Sequence, residues 1–155
     1  VSKTSDWFNH TAVQTILARI GVEYTMADKE TASIPHVNIK DCQFLKRTWR
    51  FDVDVGAWLC PLDEKSIIKS LTVWVPSRSI DEHAQMVAVI SSANSEYFFY
   101  GKQKFEEQHR FLKSQLDKEP FNFYIKHGTL PNWCELKARF DAASKSVANI
   151  YSHGP

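Results

Sequence analysis

Between residues 11 and 20 the apolar side chains Ala12, Val13, Ile16, Leu17 and Ile20 recur at three- and four-residue steps, which predicts one apolar helix face. Thr11 with Gln14 fits a capping box at its start, and Gly21 stands where a left-handed residue would end it. Residues 22–25 then predict a short strand, and the polar run 26–36, which contains Pro35, predicts a loop. An exposed loop between regular elements is where a working residue would sit. Residues 44–51 are rich in aromatics, punctuated by Lys46, Arg47 and Arg50, and predict a strand with a basic face. A turn over 52–57 containing Gly56 and a return strand over 58–62 complete a β-hairpin, with Pro61 suited to the strand's end.

After the hairpin the pattern becomes helical. Asp63 can cap a short helix carrying Ile67, Ile68 and Leu71, which must stop before Pro76. Ser79 and Glu82 fit a second capping box, opening a helix to about Ala93 with Ile80, Ala84, Val87 and Ile90 along one side. Past a break at Asn94 and Ser95, the positions Phe98, Phe105, His109, Leu112 and Leu116 keep helical spacing. Residues 120–132 predict an irregular connection. Trp133, Leu136, Phe140, Ala143, Val147 and Ile150 then step by threes and fours as a last amphipathic helix. The aromatic run 97–100 is wider than one helical stripe, so one side of it is expected to meet a segment outside the chain. Trp49, Phe51 and Trp58 read as core bridging hairpin and helices, with stacking on bases as the alternative.

Composition narrows the function classes. At 155 residues and 43% hydrophobic, the chain can bury one sizeable core. A charged fraction of 24% speaks against disorder, and no apolar run is long enough to cross a membrane. A formal charge of +1 leans against a free-standing nucleic-acid binder, so any RNA contact must be a local patch. Cys42, Cys60 and Cys134 lie far apart without a CxxC pair, so neither a zinc site nor a disulfide framework follows, and a reducing cytosol is the simpler reading.

Two stretches carry a resemblance. Gly21-Val22-Glu23-Tyr24-Thr25-Met26-Ala27-Asp28-Lys29 follows an amphipathic helix, and Phe44-Leu45-Lys46-Arg47 comes at the right spacing after it. Together they resemble motifs D and E of picornavirus-like RNA-dependent RNA polymerases, with the dicistrovirus type of insect viruses nearest. Pro61-Leu62-Asp63 and the helix after it resemble the start of the thumb in that family. The resemblance implies an α+β fold: residues 1–62 as the C-terminal part of the palm with its β-hairpin, and 63–155 as an antiparallel helical thumb. It implies a portion of a viral RNA-directed RNA polymerase that grips primer and template RNA and assists nucleotidyl transfer during genome replication.

The same resemblance implies partners and roles. Nucleotidyl transfer needs metal ions to stabilise the attacking and leaving oxygens. The resemblance puts the aspartates for two Mg²⁺ ions upstream of Val1, so this chain is expected to bind no cofactor itself and to be inactive alone. The expected partners are template and product RNA, nucleoside triphosphates, the fingers and palm motifs A to C, and a protein primer, in replication complexes of the host cytoplasm. By this resemblance Lys29 would protonate or electrostatically stabilise the departing pyrophosphate, the reading favoured over a solvated lysine between Asp28 and Glu30. Lys46 and Arg47 would contact the primer strand. Adjacent residues of a strand face opposite ways, which favours Lys46 for phosphate and leaves Arg47 open to a carboxylate behind the sheet. Gln85 would meet the RNA minor groove, or lie on an ordinary solvated helix face. Asp52-Val53-Asp54 looks like a metal-binding motif, but the resemblance places it in the hairpin turn, away from the metals. Two rival readings are a non-catalytic RNA-binding module and a protein–protein interaction domain built on the C-terminal helices. The helix over 11–20 is expected to expose apolar area where the rest of a palm would pack.

Overall fold

The structure, a computed structural model, describes residues 6–26, 32–38, 41–124 and 130–152. The fold is α+β, and the chain divides into two compact units, Val1–Trp49 and Arg50–Pro155. The division falls inside the stretch assigned to the palm.

In the first unit, helix α1 spans His10–Ala18. Its cap is Asn9 and not Thr11: the Asn9 Oδ1 accepts from the Ala12 N–H at 2.9 Å, so the helix starts two residues before Ala12, the first residue of its apolar stripe. Gly21, at φ 76°, ends the helix as its sequence position predicts, and the amides of Gly21 and Val22 return to Ala18 and Leu17. No residue of α1 is fully buried; Ile16 is 60% and Ile20 71% exposed as expected, whereas Ala12, Val13 and Leu17 of the same stripe are half-buried. Residues 22–26 do not form the predicted strand. Side chains of α1 hold that segment instead of a ladder.

The second unit opens with strands β1 (Arg50–Asp52) and β2 (Ala57–Leu59), antiparallel, with Arg50 opposite Leu59 and Phe51 opposite Trp58. The hairpin exists, but it is shorter than the sequence predicts. Helix α2 (Glu64–Thr72) is capped by Asp63 as predicted. Helix α3 (Glu82–Tyr97) is capped by Asp81, whose carboxylate accepts from the amides of His83 and Ala84, rather than by Ser79. It runs past the predicted break at Asn94 and turns at a 3₁₀ segment, Phe98–Tyr100, into α4 (Lys102–Leu116). A short α5 (Phe121–Tyr124) follows, and α6 (Trp133–Ser152) begins with a reciprocal capping box in which Asn132 and Glu135 each bond the other's amide.

The core gathers Ile67 of α2, Ala93 and Tyr97 of α3, Phe105, Leu112 and Leu116 of α4, and Trp133 and Leu136 of α6 around Phe98. The Phe98 and Trp133 rings lie with centroids 4.6 Å apart. The aromatic run therefore turns inward: Tyr97 and Phe98 are buried and Phe99 and Tyr100 pack against the core, correcting the expectation of a docking face.

Two polar junctions lock this core. Asn94, fully buried, donates from Nδ2 to the Pro131 carbonyl at 3.0 Å, which aims its Oδ1 at His109 Nδ1, 2.8 Å away. The amide orientation puts the imidazole proton on Nδ1. At the α3–α4 corner, Gly101 has φ 97° and ψ 162°, a conformation essentially confined to glycine, and a Cβ there would lie 3.2 Å from Arg50 Nη1 and Asp52 Oδ2.

Gly101→Ala is expected to destabilise the fold by about 1–3 kcal/mol in urea unfolding, through backbone strain and displacement of the Arg50–Asp52 pair. The second expectation concerns pH. Burial holds the His109 imidazole below its ordinary 6.5, with Lys113 adding to the effect and Glu135 opposing it. The unfolded chain then takes up a proton that the folded chain refuses. This contribution is full above pH 6.5 and is lost as pH falls through the lowered folded value. The melting temperature should fall between about pH 7.5 and about pH 5.5, and His109→Gln, which keeps a donor for Asn94, should flatten that fall.

Candidate nucleic-acid interface

The stretch predicted as a basic strand is a tight turn. The amide of Phe44 donates to the Arg47 carbonyl at 3.0 Å and the amide of Arg47 donates back at 2.9 Å, closing a two-residue loop over Leu45 and Lys46. Both loop residues have left-handed backbones, with φ 51° and 62°. A turn with two positive φ values suits Asn-Gly; Leu-Lys in its place is strained by about 1 kcal/mol or more per residue. Strain of this kind concentrates at functional positions.

The turn changes what the two basic residues can do. Lys46 stands at the tip, exposed beside Leu45, itself 76% exposed. Arg47 belongs to the closing pair and is half-buried. They do not alternate across a strand, so the expectation of opposite faces is corrected to tip and base. The exposed tip can offer an ammonium to a phosphate.

Gln85 is placed on α3, but both ends of its amide are engaged. Nε2 donates to the Val75 carbonyl at 2.8 Å and Oε1 accepts from the Ser77 amide at 3.0 Å. The side chain pins the α2–α3 connector as a strand neighbour would. Lys29 lies outside the described residues.

Other candidates resolve differently from their sequence reading. Asp52 is 2% exposed; its Oδ2 meets Arg50 Nη1 at 2.7 Å and its Oδ1 accepts from the amides of Asp54 and Val55, both at 3.0 Å. The Asp-Val-Asp string is thus a turn stabiliser, and among the described residues no group of His, Cys, Asp and Glu converges to hold a metal. Phe51 and Trp58, expected in the core, form a T-shaped cross-strand pair with centroids 5.9 Å apart and half their surface open, and Trp49 is also exposed. The inward positions belong to Asp52 and Leu59 instead. An open cleft of about 350 Å³ beside the start of α4 sets Arg50, Lys102 and Lys104 against Asp52, Asp54 and Glu107, so its formal charges cancel and it has no bias toward phosphate.

The corner behind that cleft is held by further ties that sequence reasoning missed. The Tyr100 hydroxyl donates to the Leu62 carbonyl, and its pKa is pushed up to about 12 by burial and then by Glu64 and Asp63. Lys104 pairs with Glu64 at 3.0 Å, and the hydrogen bond with Glu64 raises its pKa. The legible signal was the i, i+2 spacing of Arg50 and Asp52, which puts both on one strand face.

With this geometry in place, comparison with known proteins adds the following. The chain is 27% identical over 106 residues, 68% of its length, to the replicase polyprotein of Drosophila C virus (strain EB). It is 34% identical over 98 residues, 63% of its length, to the RNA1 polyprotein of Satsuma dwarf virus. It is 25% identical over 146 residues, 93% of its length, to the RNA1 polyprotein of Raspberry ringspot virus (strain cherry). The chain is similar to a short segment of viral replicase and RNA1 polyproteins. It spans only 5–6% of the length of these relatives. No family model matches it.

Relieving the strain tests the turn. Replacing Leu45 by Asn and Lys46 by Gly together is expected to raise stability by about 1 kcal/mol in urea unfolding. A loss of stability would show that the left-handed pair is not strained.

Proposed function

We propose that the chain is the end of the palm and the thumb of a viral RNA-directed RNA polymerase, and that it grips primer and template RNA while nucleotides are added. One observation carries this reading: 106 residues of the chain are similar to a replicase polyprotein. The order of elements agrees with it, since a tight turn bearing Lys46 is followed by a hairpin and then by a helical body.

Within this reading Lys46 contacts a backbone phosphate of the RNA from the tip of its turn. Arg47 supports the base of the turn. Gln85 shapes the α2–α3 connector rather than reaching into the minor groove, because both ends of its amide are bonded to that connector. Lys29 stabilises or protonates the departing pyrophosphate, a role that contributes roughly 10²–10⁴-fold to a rate. The two Mg²⁺ ions belong to aspartates of the remaining polymerase, which together with nucleoside triphosphates and a protein primer completes the machinery. The exposed Ile16 and Ile20 at the end of α1 support a partner there, since exposed apolar area of this kind is ordinarily covered.

Two measurements test the proposal. Sequence upstream of Val1 in the parent coding RNA is expected to contain a Gly-Asp-Asp turn shortly before it; unrelated sequence there sinks the polymerase reading. In the polymerase that contains this chain, Lys46→Ala is expected to weaken RNA binding at every sequence alike. The slope of log affinity against log salt should become shallower by about 0.7–0.9. An unchanged slope removes the phosphate contact.

A further inference from the structure

The outward side of α2 and the connector that follows it bring apolar and basic side chains together. On α2 the exposed residues Lys65, Ile68, Lys69 and Thr72 recur at i, i+3, i+4 and i+7, one continuous face turned away from the buried Ile67. The connector keeps the same character: Val73 is 55% and Val75 72% exposed, with Trp74 open between them and Arg78 and Ile80 exposed beyond. Between residues 65 and 80 the sequence holds three cations, Lys65, Lys69 and Arg78, and no aspartate or glutamate, although the whole chain carries only +1. None of the three pairs with a carboxylate among the described residues. Three of the four bordering acids are engaged elsewhere: Asp63 caps α2, Glu64 pairs with Lys104, and Asp81 caps α3.

This surface is held in one shape. Val73 is extended, with φ −107° and ψ 110°, and its amide returns to the Lys69 carbonyl at 2.9 Å. Gln85 then bonds the Val75 carbonyl and the Ser77 amide. Val73, Trp74 and Val75 are therefore presented to solvent on a pinned backbone, and among the described residues no strand pairs with them.

Exposed aliphatic side chains gathered in this way call for a cover, and the charge around them says of what kind. The boundary between headgroups and acyl chains of a bilayer takes aliphatic side chains and an indole, while lysine and arginine reach back to the lipid phosphates. RNA would satisfy the cations as well, but Ile68, Val73, Val75 and Ile80 offer no ring on which a base could stack. We propose that the outer face of α2, with the 73–80 connector, is a docking surface for an anionic lipid bilayer. Val73, Trp74 and Val75 enter the headgroup boundary, and Lys65, Lys69 and Arg78 are held by acidic lipid headgroups. The proposal uses neither Lys46 nor the polymerase reading.

Vesicle flotation of this chain tests it. The chain is expected to float with phosphatidylcholine vesicles that contain phosphatidylserine, and to bind pure phosphatidylcholine about 100-fold more weakly, since each cation near an anionic surface contributes about fivefold. Lys65→Gln and Lys69→Gln should each weaken binding to the anionic vesicles about fivefold, and together about 25-fold. Both side chains are exposed, so the melting temperature should stay put. Lipids brominated near the headgroup should quench the fluorescence of the bound chain, and Trp74→Phe should lose part of that quenching. No flotation, equal flotation with both vesicles, or full binding by the double variant overturns the proposal. An RNA oligonucleotide bound through Lys65 and Lys69, with vesicles ignored, gives the face to RNA instead. A longer replicase product that contains this chain and fails to float where the chain alone floats shows the face covered by protein, and the proposal falls.

Discussion

A carboxylate taken almost completely out of water has to be paired and hydrogen-bonded on every side, and the second unit is arranged around one such group, Asp52. A hairpin of three residue pairs has too few ladder bonds to persist by itself. Asp52 supplies what the ladder lacks. One oxygen receives the Arg50 guanidinium, which also donates to the Phe99 carbonyl at 3.3 Å, and the other collects the turn amides. The ion pair can lie against the α3–α4 corner only because Gly101 has no side chain there. Hairpin turn, hairpin face and helical corner are thereby set together, and Phe51 and Trp58 are left on the outer side as a consequence of which face had to turn inward.

The same solution recurs in three described segments without regular structure. Backbone groups in irregular segments still need partners, and here helix side chains supply them. Gln85 serves the α2–α3 connector, Asn94 serves Pro131 before α6, and Gln14 serves the Tyr24 carbonyl after α1. Polar residues that look available in a sequence are therefore engaged by their own chain. This separates Gln85 from Lys46: an amide with both ends bonded is engaged by its own chain, and an exposed ammonium at a strained tip is the group the proposal sets against phosphate.

Helices were legible because apolar spacing reports them directly; α2 from Asp63 and α6 from Trp133 follow their stripes closely. Caps were less so, because Asn9 competes with Thr11 and Asp81 with Ser79 within two residues, and local patterns do not rank such neighbours. The basic strand over 44–51 failed for a sharper reason. Its aromatic and basic residues suit a strand, and no propensity would put Leu45 and Lys46 in left-handed conformations. Four aromatics in a row suggested an outward face because a helix spreads them too widely for one stripe. The 3₁₀ turn changes that spread, and a corner enclosed by three helices takes them in. Lys46 was found through the resemblance, and its conformation could come only from the structure.

The near-neutral charge of the chain, which counted against an RNA role, fits the proposed one. A tight basic surface would hold RNA through many phosphates at once, and each would have to be released for the strand to advance by a nucleotide. In the proposed role, a single cation at the tip of the turn would give a weak, sequence-independent hold that breaks and reforms at little cost. In the proposed role, a two-residue loop closed by two backbone hydrogen bonds would lose little conformational freedom on each new contact. Low charge and a strained lysine are then two sides of one requirement, a grip that must be let go after every addition.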